Sequence, residues 1–381
     1  MLRPVGMALL LFFLAYFADA QMSWAAAFYQ VGFCTLGQWT AEKNLRLDVN
    51  LWYPSVQSPR VLNYAPWEIT AAPEGRTVEG RFPLLLLSHA SPASRFSYYD
   101  TAAWLASRGF VVAAPTHPGD CIDNMDKLFT WEQLESRARE LSATMDLLLE
   151  HPQISQSIDK NRAGAIGFSA GGAAVLLLGG ALPDCGGWND YCPRAGKDDI
   201  YCNPWAKNRI NTLCESLPLN KSPADPRIKA VAAVTPGFSM LFSRDSFRWF
   251  YPPLLLLAAG NDTVNPPALH TDVFNRLLNK KKARYLTLKN ADPAALMASC
   301  PNSLLEDLPE LCLSASPEER QAIHQAMHSA LTDFFLHYLG SDKNLPIIPE
   351  PPELTRPQSA PPPAPEPAPR GKQRRNGRSG G

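Results

Sequence analysis

The chain has 381 residues, 45% hydrophobic and 19% charged, with 36 prolines and equal numbers of basic and acidic side chains, so its formal net charge is zero. The apolar share excludes a disordered chain. The neutral balance argues against a nucleic-acid partner, which a basic excess would signal.

Residues 1–20 read as a secretory signal peptide. Arg3 gives a positive start, and residues 5–18 form an apolar run long enough for a signal core but short of the ~20 residues that span a bilayer. Ala18-Asp19-Ala20 offers a small-x-small cleavage site before Gln21. This predicts an exported chain, periplasmic or secreted, whose eight cysteines are disulfide candidates.

The body is expected over residues 21–340. Residues 29–39 and 45–53 alternate polar and apolar, as half-buried antiparallel strands do. Residues 82–89 (FPLLLLSH) are apolar until their end, the pattern of a strand buried on both faces. Helices are expected at 98–108, 131–150, 170–181, 266–279 and 317–339, and further strands at 111–115, 163–168, 228–234, 254–259 and 284–288. This alternation implies an α/β fold: a mostly parallel central sheet with helices on both faces and antiparallel N-terminal strands. Residues 182–222 break the rhythm with four cysteines plus Trp188, Tyr191, Tyr201 and Trp205, and read as a disulfide-stapled cap insertion.

Residues 341–381 read as a Pro-rich disordered tail with a basic end. Eleven of these 41 residues are proline, and seven bases face four acids, so the tail carries +3 and the rest of the chain −3. A solvated tail is one reading; contact with an anionic envelope surface is the other.

The strongest motif is Gly167-Phe168-Ser169-Ala170-Gly171-Gly172, a G-x-S-x-G between a buried strand and a small-residue helix. Such a turn exposes a serine on strained backbone, with the N-terminus of the helix directed at a developing oxyanion. This marks Ser169 as nucleophile and the Ala170 N–H as one oxyanion donor. A second donor is expected from the N–H of Ser91, in the Ser88-His89-Ala90-Ser91 strand end. Asp262, after strand 254–259, stands where the acid of a Ser…Asp…His order belongs. It also suits a helix cap before Pro266.

On these residues the body, from about 31 to 339, resembles the dienelactone-hydrolase-like and platelet-activating-factor-acetylhydrolase-like branch of the α/β-hydrolases. Leu51-Trp52-Tyr53-Pro54, Leu87-Ser88-His89, His117-Pro118-Gly119-Asp120, Asp225-Pro226-Arg227-Ile228, Asp262, and Cys300 and Cys312 followed by residues 320–324 carry the resemblance with the serine motif. It implies the α/β-hydrolase fold and a serine esterase or lipase acting on a small acyl-ester or lipid-like substrate. No cofactor is expected, since no glycine-rich phosphate loop occurs. No metal is expected, since neither C-x-x-C nor H-E-x-x-H occurs. The expected disulfides are Cys300 with Cys312 and two bridges among Cys185, Cys192, Cys202 and Cys214. Cys34 and Cys121 then pair or stay free.

In the resembled family the last strand leads into Ala-Gly-His-Phe, whose His is the general base. Here the stretch reads Asn290-Ala291-Asp292-Pro293-Ala294-Ala295-Leu296, and register against Cys300 puts Pro293 at the histidine position. Removing the base from a serine triad costs on the order of 10⁶ in rate. His89, in the oxyanion loop, and His324, on the final helix, are the rescue candidates. His117 reads as a turn residue, and His270 and His337 as ordinary helix positions. Asp292 is an exposed carboxylate and a poor base for a serine hydroxyl. Two readings follow: an exported serine hydrolase whose base is His89 or His324 after rearrangement, or a pseudoenzyme of the same fold that binds a ligand or envelope partner. A purely structural envelope protein is a third.

Overall fold

Leu84 and Leu86 enter one buried cluster and Leu85 and Leu87 another. Side chains on a strand alternate faces, so a strand apolar at every position must be covered on both. The computed structural model describes residues 28–39, 46–217, 222–278, 283–300, 312 and 314–340. The signal segment 1–20 and the tail 341–381 lie outside them.

The strands are β1 (Gln30–Trp39), β2 (Arg46–Ser55), β3 (Arg60–Tyr64), β4 (Trp67–Pro73), β5 (Phe82–Ser88), β6 (Val111–Pro115), β7 (Ile158–Phe168), β8 (Ile228–Val234), β9 (Leu254–Ala259) and β10 (Ala283–Leu288). They pair in the order β10-β9-β8-β7-β5-β6-β2-β1-β4-β3. β5 to β10 run parallel to their neighbours among themselves, while β2 is antiparallel to β6 and β1 to β2. This is the mostly parallel sheet with antiparallel N-terminal strands that the residue pattern implies.

The helices are α1 (Tyr99–Ser107), α2 (Trp131–Glu150), α3 (Ala170–Leu178), α4 (Trp188–Ala195), α5 (Pro204–Glu215), α6 (Thr271–Leu277) and α7 (Pro317–Leu339). Side chains of α1 and α7 build the core on one face of the sheet, and those of α2, α3 and α6 the core on the other. Local chemistry sets the helix starts. The Thr130 side chain accepts from the Gln133 N–H, Asn203 caps α5 ahead of Pro204, and Ser316 and Glu319 form a capping box on α7.

One element was not expected, and two expectations are corrected. The unexpected element is the hairpin β3–β4, a short edge pair broken by Pro66 that carries no strong periodic signal. The helix expected at 170–181 stops at Leu178, because Gly180 takes φ +107° and turns the chain. The helix expected at 266–279 is only Thr271–Leu277.

Residues 182–217 hold α4 and α5, joined by Cys185–Cys214 and Cys192–Cys202; Cys300–Cys312 is the third bridge. Cys300–Cys312 and two bridges among the other four are as expected; which of those four cysteines pair was open in the sequence and is decided by the fold. Cys34 and Cys121 are free. Among the described residues no helix is long and apolar enough to cross a membrane.

Candidate active site

β7 ends at Phe168 and α3 begins at Ala170, so Ser169 alone makes the turn, at φ 52° and ψ −115°. A non-glycine residue held there costs about 1–3 kcal/mol and persists only where its surroundings hold it. Here they do: Ser169 N–H donates to Val234 O at 3.0 Å and Ser169 O accepts from Gly237 N–H at 3.2 Å. The motif's glycines are steric requirements. A Cβ at Gly167 would lie 2.0 Å from Gly171 O, and one at Gly171 would lie 2.3 Å from Ser88 O. Ser169 itself stays partly accessible at the end of the sheet. As the first helical residue, Ala170 has an N–H with no carbonyl one turn behind it.

The loop after β5 packs against this turn and is held from below. Arg137 on α2, fully buried, donates to His89 O at 2.5 Å, to Ser88 Oγ at 3.2 Å and to Asp120 Oδ2 at 2.7 Å. The Ser91 hydroxyl donates to Asp120 Oδ1, and Gln133 donates to Oδ2 at 2.8 Å. Burial works to raise the Asp120 carboxyl, but Arg137 and these hydrogen bonds outweigh it and hold it below its ordinary value. Asp120 and Arg137 thus clamp the segment that bears the Ser91 N–H.

Beside the clamp, Ser88 Oγ contacts His117 Nε2 at 2.8 Å, and His117 Nδ1 contacts Glu140 Oε2 at 2.7 Å. Burial pushes His117 well below its ordinary value and Glu140 up to about 7. Ser88 is fully buried, so this constellation braces the strand end and faces no substrate.

Asp262 sits three residues beyond β9. Its Oδ1 accepts from the N–H groups of Val264 (2.9 Å) and Asn265 (2.7 Å). Its Oδ2 is buried and has no hydrogen-bond partner among the described residues. Burial pushes the Asp262 carboxyl above its ordinary value, and the Asp292 charge adds to this against the two backbone donors.

Neither rescue candidate is brought to Ser169. His89 is fully buried; its Nδ1–H donates to Ala90 O at 2.7 Å and its Nε2 accepts from the His117 N–H at 3.1 Å. With both nitrogens committed it orders the loop. His324 pairs through Nδ1 with Asp100 Oδ2 at 2.6 Å and donates through Nε2 to Ala295 O at 2.8 Å. Burial lowers this imidazole, but the hydrogen bond and charge of Asp100 outweigh it and raise it above its ordinary value. With both ring nitrogens engaged, His324 has none left for Ser169. Together with Arg320, which donates to Ala294 O at 2.7 Å, His324 fastens the loop that follows Pro293. Asp100, His324 and His328 do bring ligand-type atoms within 4.8 Å of one another, but the first two are already ion-paired.

The group that touches the serine hydroxyl is one the sequence did not single out. Asn265 Nδ2 donates to Ser169 Oγ at 3.1 Å, and Asn265 Oδ1 accepts from Tyr201 OH at 2.8 Å. Tyr201 comes from the 182–222 insertion, next to the Cys192–Cys202 bridge. His270, read as an ordinary helix position, is buried beside the same aromatic group, with its Nε2 2.8 Å from Tyr191 OH. Burial lowers it to about 3, which keeps it neutral. Asn265 lies in the same short string as Asp262, and that proximity is the one signal that could have flagged it.

A family model described as platelet-activating factor acetylhydrolase, isoform II, matches residues 66–124. Cutinase est1 of Thermobifida alba is 29% identical over 196 residues, covering 50% of this chain and 47% of that protein. A bis(hydroxyethyl) terephthalate hydrolase of Streptomyces coelicolor is 27% identical over 220 residues, covering 56% and 51%. The chain spans about half the length of these curated relatives. A ferulic acid esterase structure from Streptomyces cinnamoneus aligns with TM-score 0.53 at 18% identity, over 85% of this chain and 94% of that one. The chain has the α/β-hydrolase fold. Its likeness within that fold is to the platelet-activating-factor-acetylhydrolase and dienelactone-hydrolase-like family.

Proposed function

We propose that the protein is an exported serine ester hydrolase scaffold. Ser169 is its nucleophile, Asp262 its acid, the N–H groups of Ala170 and Ser91 its oxyanion donors, and a small acyl-ester or lipid-like molecule its substrate. The observation that carries this is the Ser169 turn. A strained, partly exposed serine is held by backbone bonds and two glycines whose side-chain space is filled. Relatives named as ester hydrolases support the reaction class, and three disulfides support an oxidising destination.

The contacts of His89 and His324 favour a second reading, a pseudoenzyme that keeps the pocket and binds a ligand or envelope partner. Labelling with a fluorophosphonate and turnover of short p-nitrophenyl esters separate the two, with Ser169→Ala as control. Labelling and turnover that vanish in the variant support the hydrolase. A wild-type protein inert at high probe concentration, with or without an added nitrogen base, is the pseudoenzyme.

A further inference from the structure

Asp262 is 4% exposed, and its Oδ2 is a buried oxygen without a hydrogen-bond partner among the described residues. Leaving such an oxygen unpaired costs about 1–3 kcal/mol, more when charged, and native structures retain such groups where they serve a purpose. The rest of the carboxylate is occupied, because Oδ1 already takes two backbone N–H groups. Oδ2 is therefore the one site left for a donor.

Its surroundings are those of the nucleophile. Asn265 joins the two: its backbone N–H donates to Asp262 Oδ1 at 2.7 Å and its side-chain Nδ2 donates to Ser169 Oγ at 3.1 Å. Tyr201 OH holds the same Asn265 side chain through Oδ1. Asp292, adjacent to Pro293, lies close enough for its charge to act on Asp262. Pro293 itself offers neither an N–H nor a side-chain lone pair. Ser169 Oγ receives the Asn265 donor and keeps its own proton to give. One carboxylate oxygen needs a donor and one hydroxyl needs an acceptor. A ring with an N–H on one side and a nitrogen lone pair on the other complements both.

We propose that Asp262 takes the N–H of a small imidazole-type nitrogen base, carried by the substrate or free in solution, and that this base is the proton acceptor for Ser169. The proposal rests on the hydrolase reading. The base nitrogen takes the Oγ proton as Oγ bonds to the ester carbonyl carbon and the carbonyl π pair moves onto oxygen. On collapse the bond to the leaving alcohol breaks, and the protonated base returns the proton to that alcohol. Water then attacks the acyl-serine by the same route, releasing the carboxylic acid, free Ser169 and the neutral base.

The test measures fluorophosphonate labelling of Ser169 by mass spectrometry against imidazole concentration, with Ser169→Ala giving the background. The wild type is expected to gain roughly 10²-fold in labelling rate, the low end of what a positioned base supplies, and to saturate. Asp262→Asn should lose the saturable part. Pro293→His should label without imidazole and gain nothing from it. A wild type that labels at a rate independent of imidazole overturns this proposal and leaves the hydrolase reading standing. If the wild type labels neither with nor without imidazole, the hydrolase reading falls and takes the proposal with it, whatever Pro293→His does. Two p-nitrophenyl esters, one bearing an imidazole on its acyl chain and one a matched apolar ring, distinguish the sources. Imidazole-free turnover of the first alone assigns the base to the substrate; turnover of neither without added imidazole assigns it to solution.

Discussion

The Nδ2 of Asn265 donates to the Oγ of Ser169 across 3.1 Å. The direction of this bond is set by the other ends of the amide. Oδ1 accepts the Tyr201 hydroxyl, and Nδ2 also faces the Thr235 carbonyl at 3.4 Å. An amide nitrogen donates and does not accept, so Asn265 orients the Ser169 hydroxyl and does not remove its proton. Asn265→Ala should leave the buried Tyr201 hydroxyl and the Thr235 carbonyl without this partner. A loss of about 1–3 kcal/mol in denaturant unfolding is expected; an unchanged midpoint would mean that the amide holds nothing in place.

Pro293→His restores an imidazole to the position that register assigns to the base. Serine-triad bases are worth up to about 10⁶ in rate. Even an imperfectly oriented imidazole should raise p-nitrophenyl ester turnover by roughly 10²-fold over wild type. A rate equal to wild type, in a protein with unchanged thermal unfolding, would place the defect elsewhere than at Pro293.

Glu140 gives a pH dependence with a definite sign. Burial raises its carboxyl from 4.5 to about 7, against the opposing pull of Lys127 and Arg137. Between those values the native state holds a proton that the unfolded chain has released. The stability contributed by Glu140 is thus fully present below pH 4.5 and is lost as pH rises to about 7. The loss amounts to about 3 kcal/mol at most. Glu140→Gln cannot titrate, so its unfolding free energy should decline less over that window. Parallel curves for the two proteins would show that Glu140 is ordinary in the native state.

The insertion depends on its bridges. Cys185–Cys214 closes a separation of 29 residues around α4 and nearly all of α5. Replacing both cysteines by Ala should cost roughly 3–4 kcal/mol. It should also loosen Tyr201, so ester turnover or labelling should fall along with the melting temperature. Loss of stability with unchanged reactivity at Ser169 would detach the insertion from the site.

Much of the frame was legible before any fold was seen. The strands at 228–234 and 254–259 and the helices at 131–150 and 317–339 keep their expected bounds, because a mostly apolar run bounded by turn residues or a long helix-forming segment leaves few ways to be buried. The edge hairpin β3–β4 and the helices α4 and α5 were not legible. Their residues are partly polar, and tertiary pairing and disulfides hold them as much as their own periodicity does.

By itself the sequence determined the α/β layering and the serine turn. Both are written in local spacing, where a Gly-x-Ser-x-Gly needs no distant partner to be recognised; that Pro293 stands where a base would is what the family resemblance implies. Only the tertiary structure decided what the histidines do. His89 is spent on Ala90 and His117, and His324 on Asp100 and Ala295. An imidazole has two nitrogens, and whether one remains for a serine depends on which groups the fold brings within hydrogen-bond reach of it. The same holds for Asn265, which meets Ser169 from 96 positions away, and for the Asp262 oxygen left without a partner.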